Sequence, residues 1–138
     1  MSEFPRCSIE ECTIGLRVRY SEVDRMGVAH NSRYAVYFEE GRTELLRRNG
    51  MDYKTLEDAG VFLVVARLEV RFKAPARYDE ELELTTRVGR VDRVRITHEY
   101  TMTRPADRRI IATGKTELVH VDRDGRLQPL PEFLAPVG

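Results

Sequence analysis

Residues 19–50 read RYSEVDRMGVAHNSRYAVYFEEGRTELLRRNG, and the second half of that stretch decides the fold. At 100° per residue, Tyr34, Phe38, Gly41 and Leu45 fall within about 60° of one another, with Tyr37 just outside, so residues 32–49 form an amphipathic helix. Its other face is charged. Glu44 pairs with Arg47 and Arg48 at three and four residues' distance, and Gly50 stands where a left-handed C-terminal cap belongs. Gly41 costs about 1 kcal/mol relative to Ala inside a helix, so its place on the apolar stripe implies a second backbone packed very close, with a sheet as the neighbour.

Working back from the helix, Asn31 or Ser32 is the natural N-cap. The first turn then keeps unpaired N–H groups and about half a positive charge, a ready site for an oxyanion. Asp24 lies seven residues before Asn31, after a strand-like run and before a turn at Gly27. An acid and an oxyanion site would thereby share one pocket. A carboxylate capping its own turn is the alternative use of an Asp close before Gly.

The order Tyr20, Asp24, Gly27, His30, Asn31, Tyr34, Phe38, Glu39, Arg42, Glu44 resembles the signature of the 4-hydroxybenzoyl-CoA thioesterase family, in particular its YbgC-like acyl-CoA thioesterase branch. The resemblance spans the chain and is sharpest over residues 19–50. It implies a hotdog fold, a long central helix wrapped by an antiparallel sheet of strand order 1-3-4-5-2, and an Asp at position 24 acting on a thioester. It also implies edge-to-edge homodimers, often doubled to a dimer of dimers (a homotetramer), with active sites between subunits. Related sequences often carry Tyr or His at position 30 and His or Tyr at 31, whereas this chain has His30 and Asn31.

The chain of 138 residues is expected to be one domain, 1–138, with an N-terminal segment (1–12) and a C-terminal tail (126–138). Its 23 basic and 23 acidic residues give a formal net charge of zero, which argues against a nucleic-acid partner. No apolar run is long enough to span a membrane and no signal peptide is evident, so a cytoplasmic location is expected. Cys7 and Cys12, with no second pair beside them, read as free thiols and not as a zinc site.

Alternation over Thr13–Ser21 marks the first strand, which delivers Asp24. Asp52–Ala59 forms a further helical turn closed by Gly60. Residues 61–73 begin with a continuous apolar run that reads as buried on both faces, covered by the helix. Alternating strands follow over 81–88, 94–103 and 110–121, the last with Ile110, Ala112, Gly114, Thr116 and Leu118 on one side, separated by turns at 89–92 and 104–107 and closed by one at 122–125. With the helix between the first two strands, this is an α+β domain with an antiparallel sheet.

Thioester hydrolysis needs a nucleophile or base, donors for the carbonyl oxygen, and a leaving thiolate that requires little protonation. Asp24 serves either by attacking the acyl carbon to form a mixed anhydride or by deprotonating water; the backbone N–H near Asn31 polarises the carbonyl. His30 is the third catalytic candidate, as donor to the carbonyl oxygen, orienter of water or contact to sulfur. Around them Tyr20, Gly27, Val28 and Tyr34 are the candidate substrate-binding positions. Arg71, Lys73 and Arg90, with Arg77 and Arg93 as further candidates, would meet coenzyme A phosphates. Phe62, Val64 or Met26 could line an acyl tunnel. Glu39 and Glu40 read as a solvated helix face, and His98 and His120 as structural. No metal and no cofactor are expected, coenzyme A being part of the substrate; an acyl-carrier-protein thioester is the other candidate substrate.

Two other functions fit parts of the pattern. A non-catalytic thioester-binding protein would share every feature but turnover. A hotdog hydratase or dehydratase is the weaker enzyme alternative: its Asp-x-Asn-Pro-x-His motif puts His five residues after Asp, whereas Arg25, Met26 and Gly27 follow here and His30 comes at six.

Overall fold

The computed structural model describes residues 4–134; residues 1–3 and 135–138, the outer parts of the terminal segment and tail, lie outside them. In chain order the elements are β1 (Glu11–Arg17), α1 (Arg33–Arg48), α2 (Tyr53–Asp58), β2 (Phe62–Phe72), β3 (Glu81–Val91), β4 (Arg95–Arg104) and β5 (Arg109–Val121). Short 3-10 turns occupy Tyr20–Glu22 and Glu132–Leu134. All five strands form one antiparallel sheet in the order β1-β3-β4-β5-β2, the topology that the family resemblance implies.

Helix α1 lies on one face of that sheet. Phe38 stacks on Tyr100 of β4, ring centroids 4.2 Å apart and 3° from parallel, and both are buried with Leu82, Leu84, Met102 and Ile111. Burying a side chain such as Phe38 is worth about 1.5–3 kcal/mol. Gly41 allows this approach: a Cβ there would collide with Thr86 Oγ1 and lie 2.8 Å from Leu84 Cδ2. The close neighbours are therefore side chains of β3, where the sequence suggested a backbone. Gly114 does the same from the sheet, since a Cβ would overlap the Phe38 ring. A second apolar cluster, including Leu46, Leu56, Ile96 and Phe133, fills the other end of the molecule.

The helix ends as its sequence demands. Gly50 has φ +84°, with its N–H bonded to the Arg47 carbonyl and that of Met51 to Leu46, the paired bonds of a Schellman cap. Gly60 closes α2 in the same way, and Asp52 caps its start by accepting from Thr55 N–H at 2.8 Å. Glu44 pairs with Arg48 at 3.2 Å and Arg47 at 3.9 Å. Cys7 and Cys12 are free and buried, and burial pushes both thiols up.

Three expectations about the strands change. First, β1 stops at Arg17, so the 3-10 turn at Tyr20–Glu22 stands between it and Asp24; Tyr20 is 78% exposed and touches Tyr78 edge-on. Second, the apolar run opening β2 is not buried: β2 is an edge strand paired only with β5, and Val64, Val65, Leu68 and Phe72 are 44–54% exposed. Continuous apolar character thus marks an uncovered edge here, not a strand sandwiched between layers. Third, β5 carries an irregularity opposite Met102/Thr103, which buries both Ile111 and Ala112 and leaves Ile110 exposed.

Candidate active site

The chain from Glu22 to His30 folds back on itself as a small hairpin. Val23 bridges Ala29, Asp24 N–H donates to Val28 C=O at 2.9 Å, and His30 N–H donates to Glu22 C=O at 2.8 Å. Gly27, with φ +74°, makes the reversal possible. The hairpin is fixed to the segment before β3 by Ala29 N–H to Ala76 C=O and Tyr78 N–H to Gly27 C=O.

Asp24 is exposed near the tip. Its Oδ1 accepts from Met26 N–H at 2.8 Å and Val28 N–H at 3.3 Å, so one oxygen caps the turn, as the alternative reading of the sequence held. Oδ2 has no partner among the described residues.

The base of the hairpin is held from below by Glu22, a residue the sequence reading passed over. Its buried carboxylate accepts from Arg19 N–H at 2.8 Å and from the Tyr37 hydroxyl at 2.9 Å. Burial and that bond to Glu22 push the Tyr37 phenol far up. A signal was available: Tyr37 sits at the edge of the apolar stripe, where a buried hydroxyl requires a partner.

The start of α1 is not capped by Asn31 or by the Ser32 side chain. Instead His30 Nδ1 lies 3.2 Å from Ser32 N–H and 2.8 Å from Ser32 Oγ. Accepting the Ser32 N–H requires a lone pair on Nδ1, which in a neutral ring puts the proton on Nε2. The Asn31 N–H has no partner among the described residues.

Beside that amide opens a cleft of about 390 Å³ lined by Val28, Asn31, Tyr34, Phe72, Lys73 and Pro75, among others. Tyr34 is buried and meets the Phe72 ring edge-on at 4.9 Å. The cleft thus gathers four of the sequence candidates: Asn31, Val28, Tyr34 and Lys73. Asp24, Gly27 and His30 belong to the adjoining hairpin and Tyr20 to the 3-10 turn before it, and none of them lines the cleft. The Val23–Ala29 bridge and the Asp24 N–H to Val28 C=O bond turn the chain back, so that Asp24 lies beside the strand of the hairpin that leads to Asn31. Arg71 is exposed on β2. Arg90 is separated from the group: the strand registers place it at the end of the sheet opposite Phe72 and Lys73. Met26 and Val64 are exposed surface, not tunnel lining.

Glu39 and Glu40 lie on the exposed helix face. His98 and His120 are buried, His120 with Nδ1 2.7 Å from the Pro129 carbonyl. Among the described residues no three His, Cys, Asp or Glu cluster as metal ligands, and no helix is long and apolar enough to cross a membrane.

Comparison with known proteins agrees with this architecture. A putative esterase of Aquifex aeolicus is 30% identical over 122 residues, 88% of this chain and 92% of that protein. The acyl-CoA thioester hydrolase YbgC of Escherichia coli O6:H1 is 36% identical over 73 residues, covering 53% of this chain and 54% of its own. Among solved structures, a probable thioesterase from Bartonella henselae superposes with a TM-score of 0.82 at 29% identity, over 88% of this chain and 99% of that one. The family model described as the thioesterase-like superfamily matches residues 18–137, nearly the whole chain, and the protein belongs to that superfamily.

Proposed function

We propose that the protein is an acyl-CoA thioesterase, hydrolysing an acyl-CoA to a free acid and coenzyme A at the cleft beside the start of α1. The observation that carries this reading is the Asn31 N–H: it has no partner among the described residues and belongs to a residue lining an open cleft next to the Asp24 hairpin. Membership of the superfamily and similarity to a protein described as an acyl-CoA thioester hydrolase support it.

In this mechanism the thioester carbonyl oxygen accepts from Asn31 N–H. Asp24 Oδ2, left over after Oδ1 caps the turn, takes a proton from water. The hydroxide adds to the carbonyl carbon, and the oxyanion is stabilised by the amide, a donor whose loss in comparable sites costs about 2.7–4 kcal/mol of barrier. Collapse breaks the C–S bond and releases the thiolate, which needs little protonation. Direct attack by Oδ2 to form a mixed anhydride uses the same groups. His30 supplies an Nε2–H donor at the edge of the site, and Lys73 a cation at the cleft wall for a coenzyme A phosphate.

The working unit is a homodimer in this reading. The exposed apolar row Val64, Val65, Leu68 and Phe72 on an edge strand is an aggregation hazard in a lone subunit, and pairing of β2 with β2 of a second copy would cover it. Phe72 also lines the cleft, so a partner seated there would complete its wall.

A non-catalytic binder draws support from the turn-capping role of Asp24 Oδ1. Release of free thiol from a panel of short-chain, long-chain and aromatic acyl-CoA and acyl-carrier-protein thioesters separates the two. Hydrolysis of at least one member by the wild type, reduced at least 100-fold in Asp24→Asn, supports the enzyme. Absence of thiol release across the panel, despite binding, favours the binder; loss of the conjugated enoyl absorbance without free thiol from an enoyl substrate would point to hydration.

A further inference from the structure

The second apolar cluster holds an arrangement that thioester hydrolysis does not use. Arg42 projects from α1 one residue after Gly41 and is only 9% exposed. Among the described residues no carboxylate lies within ion-pair range of it. Its neighbours are neutral: the hydroxyls of Tyr53 and Tyr100, and the imidazole of His98. The carboxylate felt at Tyr53 is Glu39, on the exposed side of the helix. A buried guanidinium without a counter-charge is a costly arrangement, because desolvation is then offset by no Coulombic partner.

His98, on β4, is 7% exposed, and its Nδ1 has no hydrogen-bond partner among the described residues. Burial, reinforced by the charge of Arg42, holds the ring neutral. Arg42, His98, Tyr53, Asn49 and Cys7 line one cavity of about 40 Å³, the rest of whose lining is apolar. A water needs about 10–15 Å³ by the same measure. The space therefore takes a small ion with room for a water or two beside it, and is too small for an acyl chain or a nucleotide. It adjoins the C-terminal half of α1, whereas the thioester cleft opens at the helix's start.

We propose that this cavity is a binding site for a small monovalent anion of halide size, held by the Arg42 guanidinium and by His98 through an Nδ1–H donor. Water could satisfy the imidazole but would leave the guanidinium charge uncompensated; an anion answers both. The remaining lining is apolar, which suits a weakly hydrated halide better than a strongly hydrated multivalent oxyanion.

Crystals of the wild-type protein soaked in sodium bromide and measured at the bromine absorption edge provide the direct test. An anomalous peak within hydrogen-bonding distance of the Arg42 guanidinium and His98 Nδ1 is expected. Peaks confined to surface arginines and lysines, with none in the cavity, would overturn the proposal. In solution, replacing sodium gluconate by sodium bromide at constant ionic strength should raise the wild-type Tm saturably, a shift lost in Arg42→Met. An equal shift in both proteins, or none in the wild type, counts against the site. If Arg42→Met does not fold, His98→Gln takes its place, with a weaker bromide dependence expected and an unchanged one contradicting the role of His98.

Discussion

The Tyr37 hydroxyl donates to the buried Glu22 carboxylate at 2.9 Å, and through that bond helix α1 holds the hairpin carrying Asp24 and His30. Glu22 also accepts His30 N–H through its own carbonyl. Tyr37→Phe leaves a buried carboxylate short of one donor, a loss of about 1–3 kcal/mol, measured by urea denaturation. Glu22→Gln keeps an acceptor for Arg19 N–H and Tyr37 and should cost less. In both, thioesterase activity should fall more than stability alone explains, because the loop bearing Asp24 loosens.

In the proposed mechanism Asp24 has two separable duties: Oδ1 caps the turn, and Oδ2 is the oxygen put to chemistry. Asn retains an acceptor for the turn, so Asp24→Asn should keep the wild-type Tm while losing activity; Asp24→Ala should lose both, at about 0.5–1.5 kcal/mol for each hydrogen bond forgone. Equal melting temperatures for all three proteins would mean that the turn does not depend on Oδ1. A single turnover in ¹⁸O-water tests direct attack: label in Asp24 shows that a mixed anhydride formed and was opened by water at the Asp24 carbonyl carbon.

Much of this architecture is legible in the sequence. Gly41 on an apolar helix stripe, Gly50 and Gly60 beyond helix ends, and alternation in three later strands each follow from a local rule that packing reinforces. The strand order came from the family resemblance. What local pattern could not carry was environment. The run from Val61 to Ala66 has the composition of a buried strand but lies on an edge, and a single chain does not encode its own neighbour. The β5 irregularity that turns Ile111 inward depends on its pairing with β4. At the candidate site, Asp24 and Asn31 stand out in the sequence because a carboxylate close before a Gly turn and a helix start have defined chemistry; that Asn31, Val28, Tyr34 and Lys73 line one cleft is seen only in the fold. Glu22 and Arg42 do not stand out, since their importance comes from burial; Phe38, Arg42 and Leu46 at four-residue spacing nonetheless put a charge on the core side.

His98 gives stability a dependence on acidity. Burial, with the charge of Arg42 adding to it, pushes the imidazole down to about 3 from the ordinary value near 6.5. Between those values the unfolded chain binds a proton that the folded chain does not, so stability is fully present above about pH 6.5 and falls on acidification toward 3. The contribution is at most about 1.4 kcal/mol per pH unit. His98→Asn should flatten that part of the pH–stability curve measured by denaturant titration; an unchanged curve would place the titration elsewhere.

The exposed edge of β2 gives a test of assembly. Lysine at a row that a second subunit covers brings like charges into a desolvated contact. Val65→Lys and Leu68→Lys together should convert a dimer to monomer in sedimentation velocity and lower kcat/KM at least tenfold, since Phe72 on the same strand lines the cleft. A wild-type protein that is already monomeric at micromolar concentration would remove the basis for pairing through β2.

The account turns on where the thioester carbonyl sits, and a crystal structure of Asp24→Asn with an intact acyl-CoA that the wild type hydrolyses measures it. The predicted result is a carbonyl oxygen about 2.7–3.1 Å from Asn31 N, with its carbon facing the residue-24 side chain. A carbonyl bound away from Asn31, with that amide donating to another protein group, would contradict it.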